Sequence, residues 1–152
     1  MRTTSERQTE SLGERIGGVL DRGAIVGLVG PLGAGKTALV RGIARACGVD
    51  EANVHSPTFL TAVEYEGRMP VAHIDLYRHG DAPADPEWMA ELLDGTGVAV
   101  VEWFDQLPDR ESLDALVVEI EPGPGDSDRQ MTLVAAGRRS ELTLRALAEA
   151  GA

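Results

Sequence analysis

The chain has 152 residues, a length that predicts a single domain spanning residues 1–152 with a hydrophobic core of its own. A net charge of -11 argues against a surface that binds nucleic acid by neutralising phosphates, because that mode needs clustered Lys and Arg. The one cysteine, Cys47, cannot form an intramolecular disulfide. No apolar run approaches the ~20 residues of a membrane span, and the polar first ten residues lack a signal-peptide pattern, so we expect a cytoplasmic protein.

The first half of the chain alternates between helix and strand patterns. Apolar residues at helical spacing predict an amphipathic helix over 4–20, and the apolar run 24–29 predicts a strand. The next helix is predicted over 37–47, where Gly48 ends it. Residues 58–65 and 69–76 have strand composition and flank a short turn, which predicts a hairpin.

The second half of the chain adds a buried strand, two further strands and two helices. Four consecutive apolar residues at 98–101 are typical of a strand that is buried on both faces, as in a parallel sheet. The remaining predicted elements are a short helix over 86–93, strands over 113–120 and 131–136, and a closing helix over 140–150. The order of elements predicts an α/β fold with a mixed sheet, a parallel core and an antiparallel hairpin.

A glycine-rich loop, GPLGAGKT, occupies residues 30–37 between the first strand and its helix and fits the pattern GxxxxGK[ST]. Glycines let backbone N–H groups surround phosphates, a lysine reaches the β and γ oxygens, and the Thr37 hydroxyl ligates Mg²⁺. A glycine-rich turn can also be purely structural in a chain with 18 glycines. The flanking strand and helix favour the nucleotide loop and a P-loop NTPase-like three-layer sandwich. The pattern predicts that residues 30–37 bind phosphates, with Lys36 and Thr37 as the side-chain ligands.

Lys36 is the only lysine among the 14 basic residues, and the other 13 are arginines. A compact ammonium on a slim side chain suits a phosphate cradle better than a broad guanidinium does. An NKxD segment that reads guanine needs a second lysine, and the chain has none. The composition therefore favours ATP over GTP.

Two acidic residues follow predicted strands and are candidates to complete a metal site. Glu102 follows the more clearly buried strand, so we favour it as the carboxylate on the metal side, directly or through water. Asp75 follows the second hairpin strand and is a candidate to bind metal-bound water or to orient the attacking water. The pattern also allows the two roles to be exchanged, or either residue to be a solvated acid at the end of a strand.

Three further features bear on the predicted site: a Ser-Pro-Thr segment, a tryptophan and the histidines. Ser56, Pro57 and Thr58 follow the helix after the loop, which is the usual place of a segment that senses the γ-phosphate, although an ordinary turn fits as well. Trp103 is either a core residue or a contact for a partner, and physical chemistry alone favours the core. The three histidines lack metal-ligand spacing, so we predict no zinc site.

Five segments occur in order along nearly the whole chain: TESLGERIG, GPLGAGKT, HSPTF, HIDLYR and VEW. Together they resemble the TsaE (YjeE) family of ATPases, which assist synthesis of threonylcarbamoyladenosine in tRNA. The resemblance implies a small bacterial P-loop protein that binds ATP with Mg²⁺, hydrolyses it slowly alone and acts with TsaB and TsaD. It also implies that ATP turnover resets the TsaB–TsaD complex, so that tRNA is reached only through these partners.

The resemblance implies roles for individual residues. The nucleotide-binding residues it implies are Leu32, Gly33, Ala34, Gly35, Lys36, Thr37 and Ala38. Thr37 and Glu102 would serve Mg²⁺, Asp75 would support hydrolysis, Thr58 would belong to the first switch, and Trp103 would belong to a functional VEW element. The sequence departs from the family pattern where Pro31 replaces an acidic residue, Ala38 a second threonine, and Phe104-Asp105 the usual residues after VEW.

The sequence leaves two other functions open. A small-molecule P-loop kinase would need an arginine-bearing lid, but residues 80–94 contain no arginine. A nucleotide-binding module without hydrolysis is the other alternative. The prediction we favour is an Mg-ATP-dependent, weakly hydrolysing ATPase that supports the TsaB–TsaD complex.

Overall fold

The computed structural model describes residues 1–55, 62–77 and 86–151. Within them, the helices are α1 (Glu6–Gly17), α2 (Lys36–Ala46), α3 (Pro86–Leu92) and α4 (Arg138–Ala150). The strands are β1 (Arg2–Thr3), β2 (Ile25–Val29), β3 (Ala62–Tyr65), β4 (Val71–Asp75), β5 (Val98–Glu102), β6 (Ala115–Pro122) and β7 (Arg129–Ala135). Short 3-10 helices cover Glu51–Asn53, Phe104–Gln106 and Arg110–Ser112. No helix in the described ranges is long and apolar enough to cross a membrane.

The strands form one sheet in the order β1-β7-β6-β2-β5-β4-β3. Strands β6, β2, β5 and β4 run parallel to one another and make the centre of the sheet. β3 pairs with β4 in an antiparallel hairpin, and β7 and β1 extend the other edge with antiparallel pairings. The predicted mixed sheet with a parallel core and an antiparallel hairpin is confirmed.

Both faces of the sheet are covered, so the protein has three layers. Val26 and Leu28 of β2 point into a core that includes residues of α1, α2 and α4. Ile25 and Val29 alternate with them and pack on the opposite face, where Phe104 and residues at the end of α3 lie. This period of two follows from the pleat of the strand. The α/β three-layer sandwich predicted from the sequence is confirmed.

Helices α1 and α2 cross at close distance because glycines face each other at the crossing. A Cβ atom on Gly42 would lie 1.9 Å from the carbonyl oxygen of Glu10, and a Cβ on Gly13 would lie 2.3 Å from that of Leu39. The flank of the crossing is polar, with Arg41 2.9 Å from the carboxylate of Glu6. The crossing fixes α1, which the sequence alone did not connect to the glycine-rich loop, beside the start of α2.

The predicted and observed elements differ mainly at their ends. α1 begins at Glu6 rather than at residue 4 because Ser5 caps it, its hydroxyl oxygen accepting a hydrogen bond of 3.2 Å from the Gln8 N–H. The prediction missed β1, whose two polar residues show no strand pattern and are ordered by pairing with β7. Cys47 lies directly after α2 and is fully buried.

Candidate functional site

The glycine-rich loop connects the carboxyl end of β2 to α2, at the edge where the parallel strands end. Gly33 and Gly35 have φ angles of 78° and 100°, which residues with a Cβ atom rarely adopt. The helix begins at Lys36, directly after Gly35. A loop of this shape before a helix N-terminus is the arrangement that presents backbone N–H groups to an anion.

The Lys36 ammonium is enclosed by its own loop. It donates hydrogen bonds of 2.7 Å to the carbonyl oxygens of both Gly30 and Pro31, and it lies 4.2 Å from the centre of the Trp103 ring. Burial lowers the pKa of Lys36, and the nearby carboxylates of Glu102 and then of two aspartates offset part of this effect. The Lys36 side chain is therefore held against the loop by these contacts and does not extend into solvent.

The two candidate acids lie side by side, because Asp75 of β4 is directly opposite Glu102 of β5 in the sheet. The Thr37 hydroxyl donates a 3.3 Å hydrogen bond to Oε1 of Glu102, which connects the loop to the acid. Oδ1 of Asp75 accepts a 2.9 Å hydrogen bond from the Tyr77 N–H. Burial raises the pKa of Asp75, the Tyr77 N–H opposes this shift, and the charge of Glu102 adds to it.

Behind Glu102 lies a chain of buried polar groups, which we name the Tyr65–His73–Glu102 chain. Oε2 of Glu102 is 2.5 Å from Nε2 of His73, and both side chains are almost completely buried. Nδ1 of His73 is 3.0 Å from the Tyr65 hydroxyl, which is also 3.2 Å from the carbonyl oxygen of His55. The two oxygens of Glu102 therefore face different partners, one toward the loop and one toward the hairpin.

Trp103 is both a packing residue and part of the site. Its ring packs against the core on the side of Phe104 and stacks on Tyr77 with ring centres 4.9 Å apart. Its φ of 59° is left-handed, a conformation that costs energy in a bulky residue. The same ring faces the Lys36 ammonium. The prediction that Trp103 is a core residue is thus incomplete, because the turn after β5 also places its ring beside the glycine-rich loop.

A cavity of about 750 Å³ opens between the loop and the two acids. It is lined by ten residues named from the sequence: Leu32, Gly33, Ala34, Gly35, Lys36, Thr37, Ala38, Asp75, Glu102 and Trp103. Ser56, Pro57 and Thr58 lie outside the described residues, so their assignment to a switch stays a prediction. In the described part of the chain, no three His, Cys, Asp or Glu side chains converge to hold a metal ion.

The cavity also has a wall that sequence reasoning missed. Thr9 of α1, Arg41 of α2 and Arg129 of β7 line it. Arg129 donates hydrogen bonds of 2.8 Å to the carbonyl oxygen of Ala34 and 3.1 Å to that of Gly33, so it braces the loop. Thr9 lies within the TESLGERIG segment, which gave a signal of its importance, but Arg129 belongs to no motif and becomes recognisable only in three dimensions.

The sheet order, the loop between β2 and α2 and the acid at the end of β5 define an α/β protein of the P-loop NTPase-like class. The family described as "Threonylcarbamoyl adenosine biosynthesis protein TsaE" matches residues 3–131. The chain belongs to the TsaE family, and this membership assigns it to the biosynthesis of threonylcarbamoyladenosine in tRNA.

Individual relatives agree with this assignment. The chain is 33% identical over 142 residues to the tRNA threonylcarbamoyladenosine biosynthesis protein TsaE of Bacillus subtilis, covering 93% of this chain and 88% of that protein. It is 42% identical over 123 residues to the TsaE of Mycobacterium bovis, covering 74% and 73%. The crystal structure of Bacillus subtilis YdiB superposes with a TM-score of 0.78 and 28% identity, covering 100% of this chain and 95% of that chain.

Proposed function

We propose that the protein binds ATP with Mg²⁺, hydrolyses it slowly and thereby supports a TsaB–TsaD complex. The observation that carries the proposal is the convergence of Lys36, Thr37 and Glu102 on one cavity at the mouth of the glycine-rich loop. These three groups are separated by up to 66 positions in the sequence, and the hydrogen bond between Thr37 and Glu102 joins them.

The shape and charge of the cavity fit a nucleotide. Its volume of about 750 Å³ lies in the range of about 300–1,000 Å³ that is usual for small-molecule sites. The left-handed glycines allow the backbone to curve around phosphates, and the Lys36 ammonium already forms hydrogen bonds with two oxygens that phosphate oxygens could replace. We propose that the nucleoside lies against the remaining wall, which includes Thr9 and Arg129.

The donor set fits Mg²⁺ when phosphates are present. Mg²⁺ is typically held by one or two carboxylates together with substrate phosphates and water. The hydroxyl of Thr37 and the carboxylate of Glu102 are the residues that would hold it, and the bound ion would neutralise charge on the phosphates. Because Thr37 contacts Glu102, we assign the metal side to Glu102 and the orientation of the attacking water to Asp75.

Family membership and surface character support the proposed partner and setting. With a net charge of -11, the chain has no electrostatic advantage on tRNA, so TsaB and TsaD are the proposed contacts to the nucleic acid. Leu32 is 73% exposed at the tip of the loop and Tyr77 is 40% exposed at the cavity. Both residues line the proposed nucleotide site, so a partner that contacted them would be sensitive to the nucleotide. We propose a cytoplasmic, single-domain protein.

The proposal is tested by measuring ATP binding and phosphate release for the wild type and for Lys36→Ala. Arg145→Ala on α4, outside the cavity residues, is the matched control that also removes one positive charge. We expect Lys36→Ala to lose both binding and turnover and Arg145→Ala to lose neither. Undiminished turnover in Lys36→Ala would show that the site is wrong.

A second measurement addresses the partners. We expect the wild type to bind a TsaB–TsaD complex in an ATP-dependent way and to release phosphate faster in its presence. Equal binding with and without nucleotide would contradict the proposed role, and stoichiometric phosphoryl transfer to a small acceptor would favour a kinase instead.

A further inference from the structure

In the Tyr65–His73–Glu102 chain, only Glu102 lines the cavity, and Tyr65 and His73 are buried behind it. His73 is fully buried in β4, and its ring lies between a carboxylate and a phenol. A buried polar chain of this kind is costly unless each member is satisfied. Its members are supplied by β3, β4 and β5, so the sheet itself determines their spacing.

We propose that His73 and Tyr65 are positioning residues that orient the Glu102 carboxylate for Mg²⁺. The proposal rests on the proposed function, in which Glu102 serves the metal. A carboxylate that contacts a metal through one oxygen is free to rotate unless the other oxygen is held. Here Oε2 is held by His73, which leaves Oε1 directed at the Thr37 hydroxyl.

The two hydrogen bonds of His73 can be made together in one order. A neutral His73 that donates its Nε2–H to the Glu102 carboxylate has a lone pair on Nδ1, which accepts the Tyr65 O–H. The single hydroxyl proton of Tyr65 then points to His73, at 3.0 Å, and not to the carbonyl oxygen of His55, at 3.2 Å. Tyr65 therefore selects the tautomer in which the proton is on the nitrogen that faces the acid. Tyr65 acts on Glu102 only through His73, because it contacts neither the acid nor the cavity.

A purely structural chain makes a different prediction from a positioning chain, and two variants of His73 separate them. In His73→Gln the side-chain amide nitrogen can take the place of Nε2, whereas in His73→Asn it can take only the place of Nδ1. A positioning role predicts that Gln preserves the metal site and that Asn does not. A purely structural role predicts that both variants affect stability without any difference at the metal.

The experiment measures the affinity of the full-length protein for a non-hydrolysable ATP analogue, with Mg²⁺ and with a chelator. The ratio of the two affinities reports the metal site without requiring turnover. Because removing such a supporting group typically weakens metal binding by about 10- to 100-fold, we expect His73→Asn to lower the ratio by at least about 10-fold. We expect His73→Gln to stay within about threefold of the wild type, since it keeps the contact to Glu102.

Tyr65→Phe keeps the buried ring, so it tests the chain even if the His73 variants do not fold. We expect it to lower the ratio by about 3- to 10-fold, because the buried hydrogen bond to His73 is lost, with affinity in chelator unchanged. Thr143→Val is the control, because it removes a buried hydroxyl from α4 whose bond is to the Arg139 carbonyl oxygen.

A wild-type ratio in Tyr65→Phe, or equal losses in His73→Gln and His73→Asn, would overturn the positioning role while the proposed function stood. If Mg²⁺ has no effect on the wild type itself, the proposed function fails and this inference fails with it.

Discussion

Gly42→Ala is a small change at the crossing of α1 and α2 that tests how tightly the cavity wall is built. In an ordinary exposed helix, replacing glycine by alanine stabilises by about 1 kcal/mol. At this position the new Cβ would lie 1.9 Å from the Glu10 carbonyl oxygen and 2.8 Å from both the Glu14 nitrogen and the Gly13 Cα. These are backbone atoms, so no side chain can rotate away, and α1 must move as a unit.

The size of the effect follows from these distances. Ordinary contact begins near 3.4 Å, so the shortest distance is 1.5 Å too small. Overpacking of this kind costs about 1–3 kcal/mol, and we expect the upper end because backbone is involved. After the helix-propensity gain, the free energy of unfolding falls by about 2 kcal/mol. For a chain of this length, that corresponds to a fall in melting temperature of about 4–8 °C.

Thermal unfolding followed by circular dichroism measures the change, and Gly18→Ala is the matched control. Gly18 follows α1 with φ -66° and ψ -17°, a right-handed conformation that alanine adopts without strain. We expect the control to be neutral or slightly stabilised. We also expect Gly42→Ala to bind ATP more weakly, because α1 carries Thr9 into the cavity wall. A higher melting temperature in Gly42→Ala would refute the close crossing on which this reasoning depends.

Three further variants test the cavity. Asp75→Asn should lower turnover by about 100-fold or more. It should also raise the melting temperature at neutral pH by up to about 2 °C, and melting at a series of pH values should show that this gain disappears in acid. The sign follows from the raised pKa of Asp75: the folded state holds the proton more tightly than the unfolded state does, so the carboxylate costs stability only above the unfolded pKa. Arg129→Lys should weaken ATP binding by about 10-fold in calorimetry, because the guanidinium donates from two separate nitrogens, Nε to Ala34 and Nη2 to Gly33, and a lysine has one nitrogen on a different stem. Affinity equal to that of the wild type would exclude bracing of the loop by Arg129. ATP should alter tryptophan fluorescence in the wild type and much less in Trp103→Phe, because the Lys36 ammonium would move from the Trp103 ring to the phosphates. An equal change in both proteins would contradict this movement.

The parts of the site that were predictable from sequence are those encoded within a few consecutive residues. The GPLGAGKT loop combines its glycines, lysine and threonine in eight positions, and the apolar run before Glu102 identifies a buried strand ending in an acid. The fold class followed from the same local patterns. The structure added the register, which sets Asp75 opposite Glu102 and explains why both acids reach one cavity.

The parts that were not predictable depend on contacts between distant residues. His73 shows no ligand spacing in the sequence, because its partner is 29 positions away on the neighbouring strand. Arg129 reaches Ala34 across 95 positions, and nothing near it in the chain indicates a bond to the loop. The left-handed turn at Trp103 is also invisible to propensities, which disfavour it for so large a residue. Tertiary packing decides these features.

The enclosure of Lys36 has a practical consequence for labelling chemistry. It is the one side-chain amine in the chain, and its lowered pKa increases the fraction that is uncharged and nucleophilic near neutral pH. Only 5% of the residue is exposed, so an amine-acylating reagent must wait until the ammonium leaves the carbonyl oxygens of its loop. The rate at which this single lysine is acylated, followed by mass spectrometry, would therefore report the rate at which the loop opens.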